Sequence, residues 1–377
     1  MKKLLLILLC LPMIGFGQNV NIPDAIFKAV LVGNTTINTN GDSEIQVSEA
    51  TAFNGTIDCN NLNISDLTGI KAFTALTELR CRDNQLTSLD VSTNTALTYL
   101  DCYDNQLTSL DVNGATALTY LNCTVNNLNH LNVSTNTALS WLYCEDNNFP
   151  SLDVSTNTAL THLNCADNNL FNLNVSTNTA LTYLNCWENN LTNLDVSNNT
   201  ALTELYCAGN QLTSLDVSQN SALTHLSCGT NPFTVLDLSA NTTLTNLDCY
   251  NGQLTSLDIS QNTALIDLIC KNGQLTSLDL RNGNNTNITT FNSTNNPNLY
   301  CIDVDDPVYS TANWTTYIDS WTSFGNNCSG TAIQEHFTNK ELLKVTDLLG
   351  RETKGKKNEP LFYIYDDGTV EKRIVVE

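Results

Sequence analysis

The sequence predicts a mainly β solenoid of about twelve stacked coils, with strands on both long sides, a short helical N-terminal cap and a small C-terminal β-module. Three observations carry that expectation. A 21-residue unit recurs ten times across residues 76–281, and its cysteine falls without slippage at Cys81, Cys102, Cys123, Cys144, Cys165, Cys186, Cys207, Cys228, Cys249 and Cys270. Apolar residues within each unit alternate with period two, break once at a turn and resume, where a helix would need them every three to four. The turns are rich in Asn, Ser, Thr and Gly. A fixed period of this length marks coils that bury their apolar faces only against one another.

Residues 1–18 read as a secretory signal peptide. Two lysines precede an apolar run, with small residues near Gly15 and Gly17, and the run is short for a membrane span. Residues 19–58 form an N-terminal cap, in which the apolar stripe from Pro23 to Leu31 makes a helix that covers the open end of the solenoid. The stretch NTNGDSEIQVSE is similar to the calcium loop of EF-hand proteins, with Asn38, Asn40, Asp42, the Glu44 carbonyl and Glu49 at positions 1, 3, 5, 7 and 12. That resemblance implies calcium as a cofactor. A polar turn leading into a short helix at 48–53 is the alternative.

Residues 59–298 are the solenoid. In the second regular copy the inward residues are Leu97, Leu100, Cys102, Leu107, Leu110 and Val112, which predicts one strand through Leu97, Asp101 and Cys102 and a second extended run through Leu110, Asp111 and Val112. The cysteines alternate with leucines and read as small buried hydrophobes. One asparagine column includes Asn84, Asn105, Asn126 and Asn147, and another includes Asn94, Asn136, Asn157 and Asn178. Amides at buried turns suit main-chain groups of their own and adjacent coils.

The pattern LxxLxCxxNxLxxLxV resembles the leucine-rich repeat, with Cys in the last strand position. The half-repeat LxxLDVSxN resembles a second, nested copy of that motif, which implies strands rather than helices on the return side. The atypical first coil, 59–73, carries Ile64, Leu67, Gly69 and Ile70 in a pattern similar to the bacterial internalins. Beyond Cys270 the pattern decays, and Ile288, Phe291 and Ser293 fit a last coil with Ser in the cysteine place.

Residues 299–329 form a C-terminal cap, where Trp314, Trp321, Tyr309 and Tyr317 are expected to seal the exposed end and Cys301 and Cys328 to form a disulfide in an exported chain. The tail 330–377 resembles the C-terminal sorting domain of the type IX secretion system. The residues that carry this are Asp347-Leu348-Leu349-Gly350-Arg351, then Leu361 to Tyr365, Gly368 and Lys372 to Val376. The resemblance implies that the type IX machinery of a Gram-negative bacterium carries the chain across the outer membrane, to be attached at the cell surface or released.

The formal charge is −22, and no Lys or Arg occurs between Arg82 and Lys271. An array without cations cannot neutralise phosphates, which excludes nucleic acid as a partner. Every acid and hydroxyl of the array has near-copies 21 residues away, so no unique catalytic constellation stands out and the chain reads as non-catalytic. All nine Tyr and Trp residues of 76–281 fall where a leucine-rich repeat implies an outward-facing concave sheet: Tyr99, Tyr103, Tyr120, Trp141, Tyr143, Tyr183, Trp187, Tyr206 and Tyr250, joined by His162. Rigid exposed aromatics are the usual anchors of binding surfaces, which points to a protein or glycan ligand and a role in adhesion. The second strand carries a column that includes Asp90, Asp111, Asp153, Asp195 and Asp216, and the rival reading is a structural matrix component held together by calcium at this acidic array. A threonine column, Thr77, Thr98, Thr119 and Thr161, raises ice binding as a third reading.

Overall fold

The computed structural model describes residues 17–328, 342–346, 351–353, 360–365 and 370–374. Most of the expected signal peptide, and residues 347–350, 366–368 and 375–376 of the expected sorting tail, lie outside the described residues. The chain divides into two compact units, Met1–Asn326 and Asn327–Glu377.

In the first unit the cap begins with α1 (Ala25–Gly33), whose N-cap Asp24 accepts from the Ile26 and Phe27 amides at 2.9 and 3.0 Å. This helix buries Phe27 and Leu31. The second oxygen of Asp24 accepts from the Ser65 amide at 3.0 Å, which ties the cap to the first coil. Burial tends to raise the Asp24 carboxyl, but its bonds to Phe27, Ser65 and Ile26 prevail and hold it below the usual range. A short helix, α2 (Val47–Ala52), follows behind a capping box between Gln46 and Glu49.

One face of the solenoid is a parallel sheet of twelve strands, each three residues long, from Thr56–Asp58 to Thr290–Asn292. Because the period is constant, residues 21 apart become Cα partners, as in Tyr99↔Tyr120 and Leu100↔Leu121. The central Leu of each regular strand points inward and its two neighbours point out, as the period of two requires. Leu97, Leu100, Cys102, Leu107, Leu110 and Val112 are all buried, as are their equivalents in the other copies.

Cysteine adds more than small size. The Cys102 thiol donates to the Asn122 carbonyl of the next coil at 3.3 Å, and Cys144 does the same to Asn164 at 3.4 Å. Beside it, each amide of the first asparagine column ties its own coil to the one before it. Asn105 Nδ2 donates to the Cys81, Cys102 and Tyr103 carbonyls at 3.0, 3.2 and 3.3 Å, and its Oδ1 accepts from the Leu86 amide at 3.0 Å. The second column works at the far turn, where Asn157 Nδ2 donates to the Val133 and Asn136 carbonyls at 3.0 and 2.9 Å. Two residues after each cysteine the chain turns through a left-handed conformation, held by Asp83, Asp104, Asp146 and Asp167 in their coils and by Val125 at φ 54° in another.

The return side also carries strands, though not in every coil. Paired return strands occur only near the two ends: Ser88–Asp90 with Ser109–Asp111, and a four-stranded group of Ser256–Asp258, Ser277–Asp279, Cys301–Asp303 and Ser323–Gly325. In the coils between, the asparagine amides and threonine hydroxyls, such as Thr156 on the Ser134 carbonyl at 3.0 Å, make the coil-to-coil bonds that a main-chain ladder makes elsewhere.

At the C-terminal end α3 (Pro307–Trp314) starts behind the N-cap Asp306. Trp314, 4% exposed, packs on Phe291, Tyr309 and Phe324, with ring centroids 4.8, 5.9 and 6.0 Å away. The sealing role thus falls to Trp314 and Tyr309 with the two phenylalanines, while Tyr317 and Trp321 are 48% and 44% exposed. Ser293 takes the cysteine place of the last coil and is buried. Cys301 and Cys328 are each disulfide-bonded. In the second unit the described strands, Leu342–Thr346, Pro360–Tyr365 and Val370–Ile374, form an antiparallel sheet with Pro360–Tyr365 in the middle. No helix among the described residues is long and apolar enough to cross a membrane.

Candidate ligand-binding face

The constant register lines up the outward residues of the long sheet in columns. The first strand position reads Glu78, Tyr99, Tyr120, Trp141, His162, Tyr183, Glu204 in successive coils. Its five rings form a ladder of two stacks, Tyr99 with Tyr120 and Trp141 with His162 and Tyr183. Tyr99 stacks on Tyr120 with centroids 4.3 Å apart and planes at 7°, and Trp141 stacks on His162 at 3.6 Å and 7°. His162 and Tyr183 follow at 5.8 Å and 17°. From the third strand position Tyr143 leans on both Tyr120 and Trp141, at 5.8 and 6.0 Å, and Tyr206 leans on Tyr183 at 5.6 Å. The Arg80 guanidinium carbon stands 5.2 Å from the Tyr99 ring centroid, a cation–π contact that closes the N-terminal end.

Seven of the ten residues picked out by sequence therefore meet in one ring cluster. Tyr103, Trp187 and Tyr250 do not join it; they lie two residues past the ends of their strands and are half-buried in the following turn. Trp141 is the most open of the ladder, at 37% exposure.

Burial raises the Tyr120, Tyr143 and Tyr183 phenols, and burial together with the bond to Glu204 pushes Tyr206 up to about 12. Burial lowers the His162 imidazole, against the opposing pull of Glu204. Its Nδ1 lies 3.0 Å from the Thr161 hydroxyl.

Carboxylates border this face: Glu204, which sequence reading also places on it, at the outward strand position, and Glu145, Asp146, Asp167 and Glu188, which it did not single out, past the strand ends. Glu145 accepts from Asn164 Nδ2 at 2.6 Å, and Glu204 accepts from the Tyr206 hydroxyl at 2.9 Å. Burial, then Glu145, Glu188 and Asp146, raise the Asp167 carboxyl. The available signal was positional: Glu145 holds the place after its cysteine, while Asp146, Asp167 and Glu188 hold the next place in their coils.

The candidate calcium loop closes on itself. Asp42 Oδ1 accepts from the Glu44 amide at 2.7 Å, and Oδ2 from Asn40 Nδ2 and Gln46 Nε2 at 3.1 and 3.0 Å. Glu49 Oε1 accepts from the Thr39 and Asn40 amides at 2.8 and 3.2 Å, and Oε2 from the Gln46 amide at 3.0 Å. Asn38 donates to the Val32 and Asp42 carbonyls, and the Glu44 side chain pairs with Lys28 at 2.6 Å. Every carboxylate oxygen of Asp42 and Glu49 is thus engaged by an N–H, and this arrangement does not fit a cation without rearrangement. Among the described residues no three His, Cys, Asp or Glu are grouped to hold a metal.

Hydroxyls of the threonine column are also engaged: Thr98 donates to the Thr77 carbonyl at 3.1 Å and Thr119 to the Thr98 carbonyl at 3.0 Å. The acidic column of the return side consists of local turns, with Asp153 and Asp195 each accepting from the amide two residues on at 2.9 Å. Those bonds, the serine hydroxyl first, hold both carboxyls below the usual range.

No family model and no curated protein matches the chain. Among solved structures it is similar to the functional domain of InlJ from Listeria monocytogenes, described as including a cysteine ladder, at 38% identity over 76% of this chain and 68% of that one, with a TM-score of 0.66. It shares the fold of the internalin InlF from the same organism, at 19% identity, 84% and 99% coverage and a TM-score of 0.58. A leucine-rich repeat protein of Leptospira interrogans shares it too, at 20% identity, 71% and 83% coverage and a TM-score of 0.52. The chain, with its own ladder of buried cysteines, belongs to the internalin-type leucine-rich repeat proteins.

Proposed function

We propose that this protein is a non-catalytic recognition module that binds a protein or glycan ligand through the ring cluster of its long sheet, and so serves adhesion at a cell surface. The observation that carries the reading is the ladder from Tyr99 to Tyr183, flanked by Tyr143 and Tyr206 on a sheet whose backbone is pinned coil by coil. Prearranged rings lose little freedom on binding, so their contact area is converted efficiently into affinity. The signal-like first 18 residues and the sorting-like tail support export by the type IX secretion machinery to the outer surface of a Gram-negative bacterium.

The test is surface and glycan-array binding by the full chain and by Trp141→Ala/Tyr183→Ala. Loss of about 2 kcal/mol or more of binding energy is expected for central aromatic anchors. Binding that survives the double substitution unchanged refutes the reading. The rival matrix role would show itself instead as self-association that calcium chelation abolishes.

A further inference from the structure

The ladder turns ring edges, not ring faces, toward the ligand. Carbon atoms in contact stand about 3.5 Å or more apart, so most of the 4.3 Å between the Tyr99 and Tyr120 centroids lies along the ring normals. The normals therefore follow the strand-to-strand direction. Trp141 and His162, at 3.6 Å and 7°, meet the same condition. Tyr99 is covered by Tyr120 on one side and Arg80 on the other. A sugar packs its C–H groups against an open ring face, and the facing sides of Tyr99 and Tyr120, and of Trp141 and His162, are spent on each other. What remains outward is the electropositive rim of each ring together with phenol hydroxyls, which suits carbonyl oxygens.

The second feature is charge. Glu204 and Glu145 stand beside the ladder, Asp146, Asp167 and Glu188 group with Glu145 in the turns past the strands, and no Lys or Arg lies between Arg82 and Lys271 to pair with them. Arg80 and Arg82 are engaged by Glu78 and Asp83 at 3.1 and 3.5 Å. A neutral ligand would desolvate these carboxylates with nothing in return, and an acidic one would be repelled.

We infer that the ligand of this face is an extended basic polypeptide segment, its main chain along the ring edges from Tyr99 to Tyr183 and its Lys or Arg side chains on Glu145, Asp167, Glu188 and Glu204. This rests on the recognition reading above and names its ligand class. Five strands at about 4.8 Å span about 19 Å, which about six extended residues cover.

The test measures fluorescence anisotropy of three labelled probes with the full chain: a decapeptide alternating Lys and Val, its Glu–Val counterpart, and neutral chitohexaose. The Lys peptide is expected to bind about tenfold or more tighter than the Glu peptide, and Trp141→Ala to weaken it about fivefold. The triple variant Glu145→Gln/Asp167→Asn/Glu188→Gln should weaken it about tenfold, whereas Asp195→Asn/Asp216→Asn/Asp237→Asn on the return side should change it less than about twofold. No preference for Lys over Glu, absence of binding by both included, overturns the inference. So does an equal loss from the two triple variants, which would mean unspecific attraction to an acidic chain. Chitohexaose binding that exceeds the Lys peptide and is lost in Trp141→Ala overturns it too, but leaves the recognition reading standing. Indifference of all three probes to Trp141→Ala sinks both.

Discussion

The two long sides of the solenoid are built from the same 21 residues and do different work. On the long sheet the main chain bonds from coil to coil without a break, and the first outward position changes identity almost every coil, from Glu78 through tyrosines, Trp141 and His162 to Glu204 and His225. On the return side main-chain pairing is confined to the ends, while the asparagine column at its turn repeats as Asn136, Asn157, Asn178 and Asn199, each amide donating to the coil before it. The difference teaches where variation is tolerated. Where backbone bonds already hold the coils, outward side chains are free to vary and to form a contact surface. Where side chains make the coil-to-coil bonds the residue repeats, with Ala115 the one interruption between Asn94 and Asn262.

That contrast can be broken at graded cost. Asn147→Ala removes three donated bonds and one accepted bond inside the array, and should cost about 3 kcal/mol, read as a shift in urea midpoint. Asn157→Ala, which removes two, should cost about 2 kcal/mol; equal costs would mean that the two columns do not differ as described. Cys144→Ser places a hydroxyl in an apolar site and should cost about 1–3 kcal/mol. The eleven buried thiols should also resist Ellman's reagent at pH 8 until the chain unfolds, since burial raises them all, Cys59 to about 12.

Smaller effects sharpen the comparison. Val125 is a β-branched residue in the left-handed region at a turn where Gly209 serves another coil, so Val125→Gly should stabilise by about 1 kcal/mol. Glu49→Ala should cost about 1 kcal/mol at pH 7. Burial raises this carboxyl, but its bonds from Gln46, Asn40 and Thr39 outweigh that and hold its folded pKa below the ordinary value. The folded state therefore binds fewer protons, the stability is present above the ordinary carboxylate range, and the difference between variant and wild type should vanish as the pH falls through the folded value. Asp153→Ala, on the exposed return side, should stay within about 0.5 kcal/mol. A larger loss there would give the acidic column a structural weight that its local turn does not suggest.

Much of this was legible beforehand because a constant period leaves little freedom. The inward set Leu97, Leu100, Cys102, Leu107, Leu110 and Val112, the bridging asparagines and the twelve-stranded sheet follow from ten in-phase copies, one atypical coil at either end, and burial. The extent of return-side pairing was not legible, since Leu-Asp-Val segments such as those at Leu110 and Leu152 read identically and only the first is a strand. At the C-terminal cap composition named the aromatics, but which of Trp314 and Trp321 would be covered depended on how α3 packs on Phe291.

By itself the sequence determined which residues share a column, because a fixed repeat length places equivalent positions one strand apart whatever their identity. Only the tertiary structure decided that the rings of one column stack as Tyr99 on Tyr120 and Trp141 on His162, that Tyr103, Trp187 and Tyr250 stay apart from them, and that Glu145, Asp167 and Glu188 gather together. Those outcomes depend on side-chain rotamers and on the neighbours one coil away, which a periodicity does not encode.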